Sequence, residues 1–122
     1  MPDAVKSVVT ALSLCLAAMC LVTPATAEPT FAGAWSADVK NCRVPQEMEN
    51  APMLISPKGY DQHEAHCTFL NLVKSGRNYQ AATKCSVQGD SQTGTITMVM
   101  QDRNTMSLSL DGGPLAKMRR CR

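Results

Sequence analysis

Aromatic residues are nearly absent: one Trp, two Tyr and two Phe in 122 residues. They are Phe31, Trp35, Tyr60, Phe69 and Tyr79. A core with so few rings needs another filler, and methionine is the natural one in a chain that carries eight. Histidine is scarcer still, with His63 and His66 alone, so no site can gather three imidazoles. Neither sign of charge dominates. Twelve basic and ten acidic residues give a net +2, which by itself nominates no partner. Enzymatic signatures are also missing. There is no Gly-x-Ser-x-Gly elbow and no glycine-rich phosphate loop leading into a helix. Glu47 and Glu49 sit on a proline-bounded stretch where nothing would raise a carboxylate pKa by burial. The expectation is a protein that is not an enzyme and uses no cofactor.

The one long apolar run lies at the start. Val8 to Val22 is apolar or small, Lys6 precedes it, and Pro24 ends it before Ala25-Thr26-Ala27. This is the pattern of a cleaved secretory signal, residues 1–27, with the mature chain starting at Glu28. The run is short for a membrane span, which takes about 20 residues. Lipid attachment at Cys15 or Cys20 would want a small preceding residue, and Leu14 and Met19 stand there instead. An uncleaved anchor is disfavoured by the Ala-Thr-Ala exit. The expected location is periplasmic or secreted, with no membrane span in the mature chain.

Residues 28–122 then form a single domain, whose small size implies a thin core. Cys42, Cys67, Cys85 and Cys121 fall in it, and outside the cytosol they read as disulfide staples. Four cysteines allow three connectivities. Sequential pairing, Cys42–Cys67 and Cys85–Cys121, would staple each half of the chain. On the chain-entropy view those loops contribute about 3.5 and about 4 kcal/mol.

Phe31 to Ser36 reads as a short strand, and Pro45, Pro52 and Pro57 make residues 41–60 irregular. Gln46 to Asn50 suits one helical turn, and Met53 to Ser56 a short strand. From Cys67 the pattern has period two. Strands run over 67–73, 79–87, 95–101, 105–110 and 115–122, with turn signals between them. The fold class expected is all-β, a small antiparallel meander or barrel-like domain with two disulfides. Trp35, Phe69, Ile96, Met98, Leu108 and Leu110 are expected inside.

Gly33-x-Trp35 resembles the opening signature of lipocalin-like and calycin-like barrels, among them small secreted bacterial protease inhibitors. There the tryptophan packs across one barrel end and the glycine permits close backbone approach. A wider pattern resembles short periplasmic proteins of proteobacteria, mostly without assigned function. It consists of Trp35 with Cys42, Ala51-Pro52-x-x-Ile55-Ser56, Glu64-x-x-Cys67-x-Phe69, Cys85 and Arg120-Cys121.

Three clusters invite chemistry. Asp61-Gln62-His63-Glu64-Ala65-His66-Cys67 holds the most potential metal ligands, but its two imidazoles share a face only on a helical turn. With Cys67 in a disulfide, the shell is incomplete, and no tight zinc or copper site is expected at His63 and His66. Met98-x-Met100 with Met106 would suit Cu(I), yet these residues alternate with Ile96 as a core face does. Lys117, Arg119, Arg120 and Arg122 read as the solvent face of a last strand. Without interleaved aromatics they do not suggest nucleic acid. The leading expectation is a small binding protein with a protein partner in the cell envelope, such as a protease or lysozyme to be inhibited. Its contact loop is expected between Arg43 and Tyr60, with Glu47, Met48 and Met53. A periplasmic metal-binding protein and an envelope structural accessory are the alternatives.

Overall fold

Alternation of inward and outward side chains carries most of the architecture. The computed structural model describes residues 29–122, so the expected signal segment 1–27, with Cys15 and Cys20, lies outside the described residues. Eight strands follow in order: β1 Gly33–Ser36, β2 Met53–Ser56, β3 Gly59–Gln62, β4 Ala65–Ser75, β5 Asn78–Val87, β6 Asp90–Asp102, β7 Thr105–Leu110 and β8 Ala116–Arg120. Each pairs antiparallel with the next, and β8 returns to β1, so the meander closes into a barrel. The closing seam is short, with only Trp35 opposite Arg120 and Ser36 opposite Arg119. By contrast, β5 and β6 pair along their whole facing length, from Asn78 opposite Val99 to Val87 opposite Asp90.

Among the described residues the one helical element is a 3-10 turn, Val39–Arg43. Asp38 caps it, its carboxylate accepting from the Lys40 N–H at 2.9 Å. Residues 46–50, where a helical turn was expected, are turn and bend instead. The cap that starts a helical turn sits eight residues earlier, and Gln46 is drawn into contacts with Pro52 and His63.

Connections alternate between the two ends of the barrel. One end holds the start of β1, the turns at Pro57-Lys58, Gly76-Arg77 and Arg103-Asn104, and the finish of β8. It is the closed end, because Phe31 and Trp35 fill it with no exposed surface. Phe31 meets Tyr79 edge-on at 4.8 Å, and the Trp35 indole N–H donates to the Phe31 carbonyl at 2.8 Å. The other, open end holds residues 37–52, the turns at His63-Glu64 and Gln88-Gly89, and residues 111–115.

Methionine fills the interior. Met53, Met98, Met100, Met106 and Met118 are all buried. Met100, Met106 and Met118 are directly opposed across β6, β7 and β8. Each such side chain contributes about 1.5–3 kcal/mol over its exposed state. Two core expectations need correction. Phe69 is only partly buried, packed against the core rather than within it. Leu110 is 38% exposed. It continues the inward series of Met106 and Leu108, but β7 reaches the open mouth there and nothing covers it.

The disulfide pairing is also corrected. The bridges are Cys42–Cys121, separated by 79 residues, and Cys67–Cys85, separated by 18. Sequential pairing treats the chain as two halves, whereas barrel closure brings its two ends together. The end of β8 lies beside the segment that follows β1, which places Cys121 by Cys42. Cys67 and Cys85 stand directly opposite each other on β4 and β5, with Cα atoms 4.0 Å apart.

Candidate functional site: a cationic cleft beside the barrel seam

Two side chains of β8 decide the chemistry of the closed end. Strand alternation turns Arg119 outward and Arg120 inward, two residues after buried Met118. The Arg120 guanidinium lies over the Trp35 ring at 4.4 Å from the centroid. It donates to the carbonyls of Ala32 at 2.6 Å, Thr30 at 2.5 Å and Arg103 at 3.0 Å. Gly33 makes room for it: φ is +141° there, and a Cβ would overlap the Arg120 guanidinium. Burial, and then the neighbouring Arg103 charge, lower the Arg120 pKa from its ordinary value. Arg120 is thus consumed in closing the barrel.

The other cations remain available. The Cys42–Cys121 bridge folds the 3-10 turn back against the end of β8 and joins two basic runs. One is Lys40-Asn41-Cys42-Arg43, the other Arg119-Arg120-Cys121-Arg122. Between them lies a cleft of about 540 Å³, whose lining includes Lys40, Arg43, Arg119, Arg120 and Arg122 together with Val39 and Asn104. Among the described residues no lysine or arginine forms a salt bridge with a carboxylate; the two salt bridges there both involve histidine. Asp38 and Asp102 serve local backbone. Asp38 caps the 3-10 turn, and Asp102 accepts from the Asn104 N–H at 2.8 Å. The basic character of the last residues was legible. The contribution of Lys40 and Arg43 was not, because it follows from a pairing that sequence leaves open.

The expected contact loop divides. Arg43, Glu47 and Met48 are exposed, Met48 by 58%, whereas Met53 and Tyr60 lie within the barrel. Met53 and Tyr60 therefore belong to the core, because they start the inward series of β2 and β3. The exposed part is braced. The Gln46 side chain donates to the Pro52 carbonyl at 2.8 Å and accepts from the His63 N–H at 3.0 Å.

His63 and His66 do not share a helical turn. His63 opens the β3–β4 turn with a left-handed φ of 52°, and His66 sits on β4. Nδ1 of His63 is 3.1 Å from the Gln46 carbonyl, and Nδ1 of His66 is 2.8 Å from the Asp61 carboxylate. Glu64 accepts from the Gln88 side-chain amide. Among the described residues no three His, Cys, Asp or Glu side chains are grouped to hold a metal ion. Met98, Met100 and Met106 are in the core, alongside Ile96.

The open end of the barrel offers little volume. Two pockets at the open end measure about 110 Å³, beside Tyr60 and Asp111, and about 240 Å³, beside Met53 and Leu110. Both are below the range of about 300–1,000 Å³ usual for small-molecule sites. Burial, and then the Asp111 charge, raise the Tyr60 pKa. Among the described residues no helix is long and apolar enough to cross a membrane. No known protein family, curated protein or solved structure matches the chain.

Proposed function

We propose that the protein is a small binding protein of the periplasm or the extracellular space, acting on a protein partner of the cell envelope through the stapled segment 37–52. Inhibition of a protease or a lysozyme is the activity this reading favours. The observation that carries it is the bracing of that segment. Exposed Arg43 stands between the Cys42–Cys121 bridge and Gln46, and exposed Glu47 and Met48 lie within the loop that Gln46 closes onto Pro52 and His63. A loop held in one shape loses little further entropy on association, which is how rigid inhibitors gain affinity. The oxidised cysteines fit an oxidising compartment. The small pockets of the open end turn attention to the outer surface.

The test starts from the full-length chain, with the protein recovered from the periplasm or medium. It is titrated against lysozyme and envelope proteases and used to capture partners from envelope extract. The expected result is saturable inhibition, or capture of one partner, weakened about tenfold or more by Met48→Asp, a loss typical of an interface anchor. Activity and captured proteins that are indifferent to both Met48→Asp and Glu47→Lys would overturn the reading.

A further inference from the structure

The cleft beside the seam takes Lys40 and Arg43 from segment 37–52 but neither Glu47 nor Met48. We infer that it is a binding site for anionic phosphate groups, and the inference does not rest on the protein-partner reading above. Lys40, Arg43, Arg119 and Arg122 converge on it, and none has a carboxylate partner among the described residues. Like charges separate when they are free to do so. Here a covalent bond between Cys42 and Cys121 holds two basic runs side by side. An anion placed between them relieves that repulsion and finds several donors at once.

The volume of about 540 Å³ lies within the usual range for a small-ligand site. Arginine contributes a planar fork of donors that matches phosphate oxygens in pairs, and lysine a mobile point charge. The wall is firm, because Arg120 anchors β8 to the carbonyls of Thr30, Ala32 and Arg103.

The aromatic residues narrow the ligand class. Phe31, Trp35, Tyr60 and Tyr79 are buried and Phe69 is half-buried, so no ring is offered to the cleft. A nucleobase is ordinarily held by stacking on such rings. Recognition here is by charge and hydrogen bonding, which suits the phosphate itself. Its source is either a soluble phosphate ester or the headgroup of an anionic lipid.

The experiment has two arms at low ionic strength. Inorganic pyrophosphate is titrated calorimetrically into the oxidised protein, and the same protein is sedimented with vesicles of phosphatidylglycerol or of phosphatidylcholine. The site predicts that R119Q/R122Q weakens pyrophosphate binding or phosphatidylglycerol sedimentation about tenfold or more, as loss of paired charged hydrogen bonds should. K74Q/R77Q removes the same charge from a hairpin tip at the same end and should change binding by less than about twofold. Pyrophosphate binding alone assigns a soluble ester, and phosphatidylglycerol binding alone a lipid headgroup. Both together, with pyrophosphate displacing the vesicles, assign the shared phosphate chemistry. The Arg119 and Arg122 side chains are exposed and make no hydrogen bond among the described residues, so circular dichroism of the variant should match the parent. No binding in either arm overturns the inference. So does an equal loss from both double variants, which would reduce the effect to net charge.

Discussion

At the closed end of the barrel Phe31 and Trp35 are fully buried, Trp35 beneath Arg120, whereas at the open end Leu110 keeps 38% of its surface exposed. Charge divides the same way. Lys58, Arg77, Arg103, Arg119 and Arg122 surround the closed end, with Asp102 as its acid. Glu47, Glu49, Glu64, Asp90 and Asp111 lie on or beside the open-end connections. Lys40 and Arg43 begin on an open-end connection and are folded back toward the closed end by the Cys42–Cys121 bridge. Two kinds of surface thereby occur on one small scaffold. An apolar plug and a cationic surface share one end, and a mouth with an adjoining braced loop occupies the other.

The largest test of this comparison breaks the seam. Cys42→Ser with Cys121→Ser should cost about 4.5 kcal/mol, and Cys67→Ser with Cys85→Ser about 3 kcal/mol, since the longer loop restricts the unfolded chain more. Guanidinium unfolding of the two double variants gives the difference. The reverse order would mean that the short pairing of β1 with β8 is held by something other than the bridge.

Next in size is the contrast between the plug and the mouth. Trp35→Ala should cost about 4 kcal/mol, because it opens a cavity under Phe31 and Arg120 that cannot collapse against a closed wall. Leu110→Ala, at a position already wet, should cost about 1 kcal/mol or less. Equal costs would show that the open end is as tightly filled as the closed one. Arg120→Met falls between, at about 2 kcal/mol. It keeps much of the stem's volume but removes the donors to three carbonyls and the charge over the indole.

These effects trace which parts of the molecule could be read in advance. The alternation of Ile96, Met98 and Met100 with Thr95, Thr97 and Gln101 identified β6 and its inward face, because each strand of a small barrel has one wet side. β3 was not legible. Gly59-Tyr60-Asp61-Gln62 is four residues long, and its following turn uses His63 with φ of 52° where glycine or asparagine would have signalled one. Gly59 also has a reason that only the fold reveals: a Cβ there would overlap the Cys67 carbonyl across the β3–β4 ladder. Leu110 was assigned the correct face and the wrong degree of burial, since periodicity gives direction but not depth. The basic residues near Cys121 were visible, but their convergence with Lys40 and Arg43 depends on barrel closure. That contact spans almost the whole domain, and no local pattern encodes it.

The smallest expected effect lies just inside the open mouth, at Tyr60. Its phenol is buried near the Asp111 carboxylate, and both raise its pKa in the folded protein, burial more than charge. In the unfolded chain the phenol titrates near its ordinary value of about 10. Below that pH both states keep the proton, and Tyr60 adds no pH dependence. As the pH rises through the unfolded value toward the higher folded one, the unfolded chain loses the proton first. Stability must then fall with pH. Tyr60→Phe should leave stability at neutral pH little changed, since the structure gives the hydroxyl no hydrogen bond, and should flatten the alkaline decline. Asp111→Asn keeps an oxygen to accept the Thr95 N–H, which lies 2.9 Å from the carboxylate, and should flatten it only in part because burial remains. Urea midpoints for the three proteins at stepped alkaline pH measure this. If parent and Tyr60→Phe decline in parallel, water reaches the phenol freely, and the open end admits solvent deeper than Tyr60.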